Sequence, residues 1–228
     1  MFYQNQIGQL NLNALTDQLF TLLEALPIES QQELFTKIES NLLSKAISED
    51  QLKLLFKWCQ KISDLDVFSK SKLLDERLYN QIVTLGLYHD QHVWVADFVN
   101  RYTKKLGSAL SAEMNRLTRA RLLFAKSSFK AAQLLLKKNF KYNQFQSRAN
   151  IMIAKMLYVT GDNEALGDYL GQCMKSIDRA YFAEDFNFLK ALYMLSKAKD
   201  AEAKALQIEK SKQLSLNLQD HLWFESMR

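Results

Sequence analysis

Ala120-Arg121-Leu122-Leu123-Phe124-Ala125-Lys126-Ser127-Ser128-Phe129-Lys130-Ala131-Ala132 is followed, 34 residues on, by Ala154-Lys155-Met156-Leu157-Tyr158-Val159-Thr160-Gly161-Asp162-Asn163-Glu164-Ala165-Leu166. Each stretch carries apolar residues at three and four spacing, a short polar break, and then the start of a second apolar period. That is the signature of two helices joined by a tight turn. The same offset upstream reaches Gly86, so a small residue recurs as Gly86, Ala120 and Ala154. A small side chain midway along a helix lets a neighbouring helix approach closely, where a larger one would overpack the contact. A unit of two helices cannot bury its apolar face alone, so a 34-residue period predicts stacked neighbours.

Outward from this pair the rest of the chain reads as helix. The 228 residues include one proline and six glycines, too few to supply the turns of a sheet protein of this size. The periodicity predicts a helix from Leu10 to Leu26, ended by Pro27, and another behind Ser30, whose partner Glu33 would complete a capping box. Ser48 and Gln51 repeat that signature before Leu52, Leu55, Phe56 and Cys59. Further helices are expected over about Lys70–His89, His92–Lys105, Ser111–Lys126, Phe129–Asn139 and Asn143–Thr160. Asp162 reads as the cap of a helix running to Ile177, followed by Tyr181–Lys197, Asp200–Gln213 and a last amphipathic segment from Leu216. Short connections make consecutive helices antiparallel neighbours. The expected fold is therefore all-α, with residues 1–65 as an N-terminal helical segment packing on repeats that occupy 66–228.

Ala120, Leu123, Phe129 and Ala132 resemble the pattern of the tetratricopeptide (TPR) repeat family: a small residue and a large apolar one in the first helix, then an aromatic and a small residue in the second. Ala154, Leu157 and Gly161 match in the next unit, where Asn163 and Leu166 replace the aromatic and the small residue. The Gly86 unit departs further, with Ala96 two residues early, and no unit ends in the family's usual proline. The resemblance covers roughly Tyr79 to Gln213. It implies antiparallel helix pairs stacked as an α-solenoid, a right-handed superhelix whose inner surface is lined by the first helix of each pair. By that resemblance Arg121, Phe124, Arg148, Ile151, Lys155 and Tyr158 would face the groove.

Charge adds a functional expectation. Between Arg101 and Thr160 stand thirteen Lys or Arg and one acid, Glu113; those sixty residues carry +12 and the remainder −7, within a net charge of +5. A one-signed block attracts an anionic partner without naming it. With the groove the resemblance implies, it leads to a non-catalytic scaffold that binds an acidic or C-terminal peptide of another protein, arginines supplying planar bidentate donors. The alternative is an RNA- or DNA-binding repeat, with Tyr102, Phe140, Tyr142 and Phe145 as stacking rings beside the cations. A third reading has the basic stretch docking on an acidic surface of this chain or of a second copy, as a homodimer.

No chemistry-bearing motif competes with binding, so the chain is expected not to be an enzyme and to use no cofactor. His89 and His92 could share a metal on one helix face, but they fall at a turn with His221 as the only other histidine, and solvation is the better reading. The acids Glu49-Asp50, Asp64/Asp66 and Glu184-Asp185 sit near predicted helix N-termini, where the helix dipole favours them. Gly161, Gly167 and Gly171 do not form a phosphate loop. Cys59 and Cys173 have neither disulfide-framework nor zinc spacing. The opening Met1-Phe2-Tyr3-Gln4 has no basic start with an apolar run behind it, no eighteen-residue apolar run occurs, and a cytoplasmic location with no membrane contact is the expectation. Leu216, Leu218, Leu222, Trp223 and Met227 give the final segment an apolar side with no capping helix after it. This predicts a truncated longer array, or a last helix that packs on a partner molecule.

Overall fold

A computed structural model describes residues 12–31, 33, 34, 37, 48–70 and 74–227. These residues are all-helical with no strand among them. The chain divides into two compact units, Met1–Leu74 and Asp75–Arg228.

The first unit contains α1 (Leu12–Ala25), α2 (Glu49–Asp64) and α3 (Val67–Lys70). Residues 10 and 11, where the first helix was expected to begin, lie outside the described residues. After Pro27 the chain is helical again from residue 28, so Ser30 sits inside a turn of helix and is not its N-cap. Proline needs no N–H at such a start, and its carbonyl accepts from Gln31 N at 3.0 Å. The buried Gln31 side chain donates to Leu23 O at 2.9 Å and Leu26 O at 3.0 Å, satisfying carbonyls that the end of α1 leaves open. At α2 the expected capping box is present: Ser48 Oγ accepts from Gln51 N at 3.3 Å and Gln51 Oε1 from Ser48 N at 2.8 Å. Leu52, Leu55, Trp58, Cys59 and Ile62 are the buried stripe of α2, and Phe20 meets Trp58 edge to face at 4.7 Å.

The second unit runs through α4 (Glu76–Tyr88), α5 (His92–Tyr102), a 3-10 turn (Thr103–Leu106), α6 (Ser108–Ala125), α7 (Phe129–Leu136), α8 (Asn143–Val159), α9 (Asn163–Ser176), α10 (Ala183–Lys197), α11 (Ala201–Lys212) and α12 (Leu218–Glu225). Caps set the starts. Asp75 accepts from Leu78 N, Asp162 from Ala165 N, Asp200 from Ala203 N and Asn217 from Asp220 N, at 2.8–3.2 Å. The Asp75 cap explains why α4 begins at Glu76 and not at Lys70.

Three helix-to-helix turns share one hydrogen-bond pattern. Gln91 N, Ser128 N and Asp162 N donate to Gly86 O, Leu123 O and Leu157 O at 2.8–3.1 Å, while Asp90 N, Ser127 N and Gly161 N donate to Leu87 O, Phe124 O and Tyr158 O at 2.9–3.2 Å. This is the six-to-one and five-to-two closure of a Schellman turn, and the residue it needs in the left-handed region is Asp90 (φ 55°), Ser127 (φ 56°) or Gly161 (φ 77°). Ser127 and Gly161 keep the 34-residue period. Asp90 does not, because α4 closes a turn sooner; counted back from the turn, Val83 and not Gly86 stands level with Ala120 and Ala154. All three are fully buried, so the close-contact row is Val83, Ala120, Ala154.

Sequential helices pack in pairs, α4 with α5, α6 with α7, α8 with α9 and α10 with α11; α6 also packs on α4 and α8, and α10 on α8. The last helix, α12, packs on α11 and returns to α4, the first helix of the unit. Phe224 of α12 joins the core of Ile151, Ala154, Leu166, Leu170, Phe188, Leu189 and Leu192, with Trp223 against it.

Candidate functional site

The helix α8 presents Arg148, Ile151, Met152 and Lys155 along one side, at the spacing of a single helical face. On that side lies α12, whose Asp220 shares a face with Trp223 and Phe224. Lys155 Nζ donates to Asp220 Oδ1 at 2.7 Å, and Arg148 Nη1 reaches Asp220 Oδ2 at 3.2 Å and Asp185 Oδ1 at 3.0 Å. Ser147 Oγ donates to Asp185 Oδ2, and Asn217 Nδ2 to Asp220 Oδ2. The Lys155 ammonium also lies 4.6 Å from the Phe188 ring centre and 5.1 Å from that of Trp223. Trp223 packs on Tyr158, Phe188 and Phe224 with ring centres 5.3–5.8 Å away.

One turn row away, Arg121 of α6 donates through Nη2 to Thr84 Oγ1 at 2.7 Å and through Nη1 to Asn80 Oδ1 at 3.5 Å. Counted from the left-handed turn residues, Thr84, Arg121 and Lys155 occupy equivalent positions in α4, α6 and α8. Arg121 is 4% exposed, Lys155 3%, Asp185 2% and Asp220 0%. Burial draws the Arg121 guanidinium down to about 10. Burial also lowers Lys155, against the pull of Asp220. For Asp220, burial pushes the carboxyl up, but Lys155 and Arg148 outweigh it and hold it below its ordinary value. Asp185 goes the other way, raised by burial despite Arg148 and Ser147.

The structure thus brings Arg148, Ile151, Lys155 and Tyr158 together around α12, with Arg121 and Phe124 beside them. In place of an open groove, Arg121 and Lys155 are buried and Arg148 is partly covered. Arg148 and Lys155 are neutralised by this chain's own acids, Ile151 is part of the core, and Tyr158 is half-covered by Trp223. Half-buried Phe124 packs on Phe129, ring centres 5.5 Å apart. The apolar side of 216–227 packs against the same unit, Leu222 and Phe224 being buried there and Leu216, Trp223 and Met227 partly so. Three rings named for base stacking, Tyr102, Phe140 and Phe145, are buried and cannot stack a base without unfolding. The basic charge that does remain exposed lies elsewhere, on Arg101, Lys104, Arg119, Lys126, Lys130, Lys137, Lys138 and Lys141.

Glu113, the one acid of the basic block, accepts from Lys141 N and Tyr142 N at the start of α8, and Arg116 stacks 3.7 Å above Phe140. His92 Nε2 lies 3.8 Å from Asp90 Oδ1 at the turn before α5. Among the described residues no group of three metal-ligating side chains comes together. Cys59 and Cys173 are buried thiols.

Sequence reasoning missed Asp185 and Asp220, assigning the first to capping. A signal existed for both. Asp185 precedes Phe188, Leu189 and Leu192 by three, four and seven residues, and Asp220 precedes Trp223 and Phe224 by three and four, so each acid stands on an apolar stripe rather than a solvated face. No helix among the described residues is long and apolar enough to cross a membrane. No family model, no curated protein and no solved structure matches this chain.

Proposed function

We propose that the second unit is a non-catalytic interaction module of TPR-like helix pairs, whose row of first helices receives an acidic amphipathic helix. The observation that carries this reading is Asp220: a carboxylate on a helix, fully buried, held by Lys155 and Arg148 with Trp223 and Phe224 beside it. Burying an ion pair is costly unless geometry and added hydrogen bonds compensate. Such a site selects for an acid at one position and aromatic residues three and four further on. The chain's own α12 is that ligand in cis, and a partner helix with the same order of residues is what would replace it. The three recurring Schellman turns and the pairwise packing support the repeat architecture. Buried thiols fit a reducing compartment such as the cytoplasm.

The test uses the full chain and a fluorescent peptide of residues 216–228. Asp220→Lys should release α12 and leave the row of first helices open, so the peptide binds this variant and binds the parent at least tenfold more weakly. A peptide carrying the same Asp220→Lys change should bind neither. Equal binding to parent and variant, or to both peptides, contradicts the reading. For the nucleic-acid alternative the discriminator is salt: binding through many phosphates falls by orders of magnitude between about 50 and 200 mM, far more than a helix held by two or three ion pairs.

A further inference from the structure

Beneath α12 lies a cavity of about 330 Å³ lined by Thr84, Tyr88, Arg121, Phe124, Leu222 and Trp223, among others. Its size is at the lower end for small-molecule sites, and its walls have their usual make-up, apolar and aromatic surface with a few polar groups. What sets it apart is charge. The charged side chains around it are Arg121, Lys155, Asp185 and Asp220, all buried, and Arg148, whose side chain is 31% exposed. Arg148 and Lys155 take both carboxylates. Glu76, the next acid, is half-buried and held by Gln144 Nε2 at 3.2 and 3.3 Å. Arg121 forms no ion pair with a carboxylate among the described residues; its partners are the neutral oxygens of Thr84 and Asn80. An uncompensated guanidinium is costly to bury. It carries five N–H donors in a planar fork, and two are used here, one of them at 3.5 Å.

We infer that this cavity binds a small organic anion, its carboxylate or phosphate-monoester head on the Arg121 guanidinium and its apolar body against Phe124, Leu222 and Trp223. The head group gives Arg121 a directly bonded anionic partner and accepts two N–H bonds in the bidentate manner that favours arginine. The body meets rings that are already ordered, so little side-chain freedom is lost on binding. Leu222, Trp223 and Gln219 of α12 form one wall, so the ligand binds the closed form and stabilises it by mass action. This inference does not need a partner helix to exist, since it concerns the chain with α12 in place.

The experiment titrates the full chain with benzoate and phenyl phosphate, using benzamide as the neutral counterpart of benzoate, and reads calorimetric heat and melting temperature. The expected result is saturable one-to-one binding of at least one of the two anions, a melting temperature that climbs with its concentration, and at least tenfold weaker binding of benzamide. Arg121→Gln should abolish the anion effect. Because that change alters a buried residue, Ala125→Leu provides a second variant that fills the cavity and leaves Arg121 in place; it should bind at least tenfold more weakly than the parent. Lys130→Gln, on the surface, should bind as the parent does. Binding by neither anion, benzamide binding as well as benzoate, unchanged binding by Ala125→Leu, or an equal loss in Lys130→Gln would each overturn the assignment.

Discussion

At the residue scale the charged positions are decided by what surrounds them, and periodicity shows only part of that. Charges that merely face an open groove tolerate reversal to Glu with little loss of stability, as exposed charges do. Arg121 and Lys155 are both buried, so their double reversal is expected to cost at least about 3–5 kcal/mol, because it removes the cations and leaves Asp220 facing two new acids; urea unfolding of the variant checks this. Ala120 and Ala154 were read correctly as buried small positions, since a recurring alanine between apolar neighbours is legible in the sequence. Ala154→Glu should destabilise by a similar amount, whereas Ala203→Glu, half-buried in α11, should stay within about 1 kcal/mol. The turns supply a backbone prediction. Ser127 holds φ 56° where the equivalent residue is Gly161 at φ 77°, and a Cβ on Gly161 would meet nothing within 4 Å. Strain in the left-handed region alone is therefore at issue: Ser127→Gly should stabilise and Gly161→Ala destabilise, each by about 1 kcal/mol in chemical denaturation.

At the element scale α12 is the part the sequence did not place. Its apolar side was visible in Leu222 and Trp223, but periodicity gives the face of a helix and not the surface that face meets, and a contact between Asp220 and Lys155 spans 65 residues. The missing information was the identity of the stripe: an acid in line with Trp223 and Phe224 asks for a buried cation, and Lys155, in line with Ile151 and Met152, answers it. Removing one partner should cost more than removing both. Asp220→Ala leaves Lys155 buried without its partner and should cost about 3–5 kcal/mol, while Asp220→Leu combined with Lys155→Met should recover most of that loss, as a double-mutant cycle would measure. Acid should act through the same pair. The folded pKa of Asp220 lies below its unfolded value of about 3.9, so its contribution is complete above that pH and is lost as pH falls through the folded value. Asp185, raised by burial, has the opposite sign and relieves part of its cost on protonation. Melting temperature should therefore drop below about pH 4 in the parent, and the drop should be smaller in Asp220→Asn, whose melting temperature is already lower at neutral pH.

At the scale of the whole molecule the all-helical composition was legible from one proline, six glycines and the Ser48–Gln51 capping box, while the use of the basic block was not. A run of like charges looks the same in sequence whether it forms a solvated face or a buried network. Here it does both: Arg121 and Lys155 are buried beneath α12 with Arg148 partly covered beside them, and residues such as Arg119, Lys126, Lys130, Lys137 and Lys138 stay in water. The central claim is that the chain's own last helix occupies the row of first helices through Asp220. Hydrogen exchange followed by mass spectrometry on the full chain tests it most directly, since protection reports the free energy of local opening. The account predicts that amides of α12 are protected in the parent to a degree comparable with α8, and that Asp220→Lys abolishes protection in α12 while α8 and α9 keep most of theirs. Exchange of α12 at the rate of an unstructured peptide in the parent, or unchanged protection in Asp220→Lys, would contradict it.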